Sequence, residues 1–139
     1  LLYRTYHGSA MSGMVQAASK ALWQDEVHVH ENRQLYREKF ARVTPVLAQV
    51  LDVQLPDAGF YLWAGLPPGW QNRDDLFAQQ LLAQYNVTVL PGSYLAREFQ
   101  GVNPGAGRIR MALVAQTEEC LQAAERIVQF LQHNPVLPS

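Results

Sequence analysis

The chain has 139 residues, 48% of them hydrophobic and 17% charged, with a formal net charge of -1. That is a globular composition with enough apolar residues for a modest core, and it excludes a disordered chain. There is no basic surplus or Lys/Arg run for nucleic acid, and no apolar stretch nears the roughly 20 residues of a membrane helix. The single cysteine, Cys120, leaves no internal disulfide, in keeping with a reducing, cytoplasmic setting.

The opening "LLYRTYHGSAMSG" has no initiator Met and no charged region followed by an apolar core. It is read as the interior of a longer protein, not as a signal peptide. From Ser12, apolar residues at Met14, Val15, Ala18, Ala21 and Leu22 have helical spacing, with Ser12 placed to cap. Asp25 suits the start of a second, long amphipathic helix. That helix carries Leu35, Tyr36, Phe40, Val43, Leu47, Val50 and Leu51 on one face. Pro45 predicts a kink or break near Arg42–Thr44, because proline removes a helical hydrogen bond.

The aromatic run Phe60–Leu66 predicts a strand, closed by Pro67, Pro68 and Gly69. Asn72 is placed to cap a short helix with Asp74 and Asp75 in its first turn and a stripe of Phe77, Leu81 and Tyr85. "VTVL" (87–90) predicts a short strand stopped by Pro91–Gly92, and the glycine-rich 93–107 a loop. "RIRMALV" is a further strand. Thr117 is placed to cap the last helix, whose inner face carries Cys120, Ala124, Ile127, Val128 and Leu131. Three or four strands covered by helices on one side give an α/β or α+β two-layer domain.

Few residues form a chemical constellation. His28 and His30 are two apart, whereas helical metal ligands stand four apart, so a solvated helix face is the better reading and no metal is expected. "HGSAM" and "PGSYL" do not complete a nucleophile elbow. "GAG" at 105–107 does not join a strand to a helix, which favours a turn over a phosphate loop. Cys120 reads as a small buried hydrophobe. The arginines of "GRIRMALVA" are different. Arg108 and Arg110 fall on one face of a strand, and Ala112 and Val114 continue that face. A cation at the margin of an apolar face calls for an anionic partner, and the guanidinium fork suits a carboxylate, either internal or from a ligand.

Four segments in order resemble the C-terminal small domain of fold-type-I, pyridoxal-phosphate-dependent aminotransferases of class I/II. They are "YRTYHGSAMSGMVQAAS", "PDAGFYLW", "VTVLPGSYL" and "GRIRMALVAQTEE". The first looks most similar to the N-succinyldiaminopimelate aminotransferase branch, a lysine-biosynthesis enzyme. The resemblance spans residues 1–139. It implies a small, mostly antiparallel sheet preceded by a long kinked interdomain helix, with the large cofactor-binding domain absent from this chain.

The resemblance further implies pyridoxal 5'-phosphate as the cofactor of the full-length parent. It assigns the substrate α-carboxylate to Arg110, because Met111, Ala112 and Leu113 follow it as the family pattern requires. Arg108, one pleat away, becomes a second anion contact, an interface residue or plain surface. Tyr6 and Ser9 are placed near the neighbouring subunit's cofactor phosphate in a homodimer. The Schiff-base lysine is expected upstream, since Lys20 and Lys39 match no motif, so no catalytic residue is expected in this chain. The implied reaction moves an amino group between an amino acid, such as N-succinyl-diaminopimelate or glutamate, and a 2-oxo acid. A ligand-sensing aminotransferase-like domain of a transcription regulator and a β-lyase on the same scaffold are the alternatives. No nucleic-acid or membrane partner is expected for the enzyme.

Overall fold

The computed structural model describes residues 8, 10–71 and 73–135, in two compact units, Leu1–Leu35 and Tyr36–Ser139. In the first unit, α1 spans Gly13–Gln24. Ser12 is its N-cap, and its Oγ accepts from the Val15 N–H at 3.4 Å. Met14, Leu22 and Trp23 are exposed, and α1 buries no residue. Asp25 serves the start of the next helix, α2 (Val27–Leu47), by accepting from the Val27 N–H at 3.0 Å. Its carboxylate lies 3.1 Å from His28 Nδ1. The His28 hydrogen bond, then the Val27 N–H, holds Asp25 below the usual carboxylate pKa.

The expected break near Arg42–Thr44 does not occur: α2 runs through Pro45 to Leu47. Pro45 falls in the last turn, so the bond it cannot donate is lost only where the helix is already ending. The chain then tightens, with Val50 N–H and Leu51 N–H both donating to the Leu47 carbonyl, at 3.0 and 2.9 Å.

The second unit holds a three-stranded antiparallel sheet of order β1-β3-β2, with β1 at Tyr61–Gly65, β2 at Leu90–Pro91 and β3 at Arg108–Ala112. The strand expected at 87–90 is therefore shorter and shifted. Val87 and Val89 are buried in the core without joining the ladder, and pairing starts at Leu90. Pro91 is tolerated because β2 is an edge strand. The segment expected as loop contains a short helix, α4 (Gly92–Leu95).

Helices α3 (Asp74–Tyr85) and α5 (Thr117–His133) complete the unit. Asn72 lies outside the described residues, and Arg73 occupies the N-cap of α3 without a side-chain cap bond. The last helix is capped one residue earlier than expected. Gln116 and Glu119 form a capping box, with Gln116 N–H donating to Glu119 Oε2 at 3.3 Å.

Leu62, Ala64, Ile109 and Met111 point from one sheet face into a core shared with Val43 and Leu47 of α2, Phe77 and Leu81 of α3, and Ile127 and Phe130 of α5. Trp70, Phe77 and Phe130 pack with ring centroids 5.3–5.5 Å apart. The Trp70 indole donates to the Asn134 carbonyl at 2.8 Å, so this large side chain is buried with its polar atom satisfied. Helices against one side of a small antiparallel sheet make the two-layer α+β arrangement.

Candidate functional site

The other sheet face carries the polar chemistry. Strand β3 is central and hydrogen-bonded on both sides, which gives its side chains a rigid base. Arg110 stands opposite Trp63 on β1 and Leu90 on β2, while Arg108 stands opposite Gly65. Both arginines are half-buried, and among the described residues neither is paired with a carboxylate. The Arg110 guanidinium instead lies over the Tyr61 ring, 5.5 Å from its centroid. That cation–π contact orients the fork and leaves its N–H groups available for an anion. Arg108 lines a cleft of about 440 Å³ with Asp52, Asp57, Trp63 and the same Tyr61 that underlies Arg110. The continuation of this face is less enclosed than expected, since Ala112 and Val114 are both exposed.

The loop from Pro91 to Gly107 buttresses β3. Buried Asp74 accepts from the Ser93 N–H at 2.7 Å, and Asn103 Nδ2 donates to the Ser93 carbonyl at 2.9 Å. Gly92 and Gly105 touch backbone to backbone: a Cβ on Gly105 would overlap the Gly92 carbonyl, and one on Gly92 would sit 2.8 Å from the Trp63 indole. The "GAG" segment is thus a close-approach turn, in line with the sequence reading. No part of it was legible as a partner of "PGS", because the two meet only in three dimensions.

Lys39, which belongs to no sequence motif, is buried. Its Nζ donates to the Leu113 carbonyl at 3.0 Å and stands 5.0 Å from the Tyr36 ring centroid. A buried ammonium needs such partners, and here they tie α2 to the chain just after β3. Cys120 is buried with its thiol against the Ala115 carbonyl at 3.5 Å, and burial pushes its pKa up, the opposite of an activated nucleophile. His28 is engaged by Asp25. Tyr6 and Ser9 lie outside the described residues.

These features sit in a chain whose residues 2–127 match the model for aminotransferase class I and II. The chain belongs to that family. It is 32% identical over 119 residues to an LL-diaminopimelate aminotransferase of Syntrophobacter fumaroxidans, covering 85% of this chain and 29% of that protein. Among solved structures it is similar to an aminotransferase from Neisseria meningitidis, at 55% identity and TM-score 0.84, over 93% of this chain and 32% of that one. It is also similar to a probable N-succinyldiaminopimelate aminotransferase from Thermus thermophilus, at 34% identity and TM-score 0.65, over 79% of this chain and 27% of that one. The chain spans about three-tenths of the length of the first two of these and slightly less of the third.

The family depends on pyridoxal phosphate. The residues described do not by themselves fit that cofactor. The chain has two lysines: Lys20 is exposed on α1, and the Lys39 ammonium is committed to the Leu113 carbonyl. No chemical step through the cofactor is placed on either lysine. What the open sheet face can do is bind and orient an anion.

Proposed function

We propose that this chain is the C-terminal small domain, with its leading interdomain helix, of a pyridoxal-phosphate-dependent aminotransferase, and that Arg110 binds the substrate α-carboxylate. The observation that carries this reading is the Arg110 guanidinium on the central strand, held over the Tyr61 ring and without a carboxylate partner among the described residues. A bidentate pair with the carboxylate fixes the orientation of the amino acid, so that its Cα–H bond can be aligned for cleavage. The parent transfers an amino group between an amino acid and a 2-oxo acid. Relatives named for LL-diaminopimelate and N-succinyldiaminopimelate support a diaminopimelate-type donor and a role in lysine biosynthesis. In this reading the Schiff-base lysine belongs to the part of the parent outside this chain. The parent is a cytoplasmic homodimer, with Tyr6 and Ser9 near the neighbouring subunit's cofactor phosphate.

The test is the Arg110→Ala variant of the full-length enzyme. It should lower kcat/KM by about 10²-fold or more, from loss of a charge-assisted pair together with loss of orientation. The absorbance of bound cofactor should not change. Wild-type kinetics in the variant would remove the assignment.

A further inference from the structure

Arg108 has no role in that reading, yet its surroundings are specific. It lines the 440 Å³ cleft, and Asp52 and Asp57 stand on the same walls. Asp52 is fixed by two backbone hydrogen bonds to Gly65, at 2.8 and 3.0 Å, and Gly65 is the residue opposite Arg108 on β1. A Cβ on Gly65 would come within 3.2 Å of the Asp52 carboxylate. The approach is tight, so a larger residue at Gly65 would require the Asp52 side chain to shift by a few tenths of an ångström. Among the described residues the arginine and the two aspartates make no ion pair with one another. One forked cation on the central strand and two exposed acceptors, Asp52 bridged to β1 and Asp57 in the bend before it, thus line a common volume.

This composition selects a ligand. A purely anionic group would meet Arg108 but be opposed by two carboxylates, and a purely cationic one would be opposed by Arg108. A group bearing a carboxylate and an adjacent N–H satisfies both. Residues two apart on a strand are roughly 6.6 Å apart, a span that a few methylenes cover. We propose that the cleft is a second recognition subsite, which receives the far end of the amino-acid substrate when that end carries a carboxylate beside an N–H-bearing nitrogen. Arg108 takes the far carboxylate, and Asp52 or Asp57 accepts from the nitrogen. The proposal rests on Arg110 holding the near carboxylate. Two sources share this chemistry: a free diaminodicarboxylate, with an ammonium, and its N-acylated form, with an amide N–H.

Four donors test it in the full-length, cofactor-loaded enzyme: diaminopimelate, N-succinyldiaminopimelate, 2-aminoheptanedioate (no far nitrogen) and 2-aminoheptanoate (no far carboxylate). Arg108→Gln should reduce kcat/KM for the two diaminopimelate donors relative to 2-aminoheptanoate by about 10- to 100-fold, the loss expected for a hydrogen-bonded charge pair. Asp52→Asn combined with Asp57→Asn should reduce their preference over 2-aminoheptanedioate. A larger reduction for diaminopimelate identifies the ammonium as the source, and a similar reduction for both forms identifies any N–H. The subsite is overturned if Arg108→Gln leaves the donor ratios at their wild-type values, and its nitrogen half is overturned if the aspartate variants do so. Arg110→Ala separates the two readings. If it suppresses all four donors while Arg108→Gln leaves the ratios fixed, only the subsite fails. If Arg110→Ala has no effect, the carboxylate-clamp reading fails.

Discussion

Replacing Tyr61 by Leu removes the ring beneath Arg110 while keeping an apolar side chain at that strand position. The contact is a half-buried guanidinium 5.5 Å from the centroid of an exposed ring. Such interactions contribute about 0.5–1 kcal/mol when exposed and about 2 kcal/mol when desolvated, so roughly 1 kcal/mol is reasonable here. If that energy orients the fork, its loss should raise KM for any α-amino acid donor by about 5-fold, with a smaller change in kcat. Steady-state kinetics of the full-length enzyme measures this. Tyr61→Phe keeps the π face and loses only the hydroxyl, so it should stay within about 2-fold of wild type, since each 1.4 kcal/mol corresponds to tenfold. Equal damage from Leu and Phe, or none from Leu, would refute the positioning role.

Two further outcomes concern the scaffold. Phe77 is fully buried against Trp70 and Phe130, so Phe77→Ala should destabilise the domain by about 3–5 kcal/mol, read from the urea midpoint of its unfolding transition. Asp25 is held below its usual pKa first by His28, and Asp75 first by Arg73, 3.0 Å away. A carboxylate with a depressed folded-state pKa stabilises the fold above its unfolded pKa and loses that contribution as pH falls through the folded value. The Asp75–Arg73 contribution should therefore be present at neutral pH and lost as pH falls from the usual carboxylate value through the lower folded one. Asp75→Asn should flatten the acid limb of stability against pH slightly, since exposed pairs contribute little.

The elements that could be read from sequence were those whose signal is local. The alternation Arg108, Ile109, Arg110, Met111 placed β3 and put both arginines on one face, as found. The 3.6-residue spacing of Cys120, Ala124, Ile127 and Leu131 marked the buried stripe of α5, although Phe130 takes the deep position expected of Val128, which is only half-buried. The misreadings depended on tertiary context. Val87–Val89 has strand propensity, but only Leu90 and Pro91 find a partner strand. Pro45 signalled a break, but its cost depends on how near the helix end falls. Of the candidate site, the strand position and facing of Arg110 were legible from its pattern. The Arg108 cleft was not, because Asp52 and Asp57 reach it from a segment more than 50 positions away in sequence, and the backbone pairing of Asp52 with Gly65 leaves no local signature.

Arg110 is proposed to recognise the substrate α-carboxylate. The most direct measurement compares an amino acid donor with its α-carboxamide, which keeps the shape but lacks the charge, in the wild-type and Arg110→Ala full-length enzymes. The wild type should prefer the acid by about 10- to 100-fold, the worth of a charge-assisted pair, and this preference should collapse towards unity in the variant. An acid-over-amide preference that survives intact without Arg110 would contradict that role.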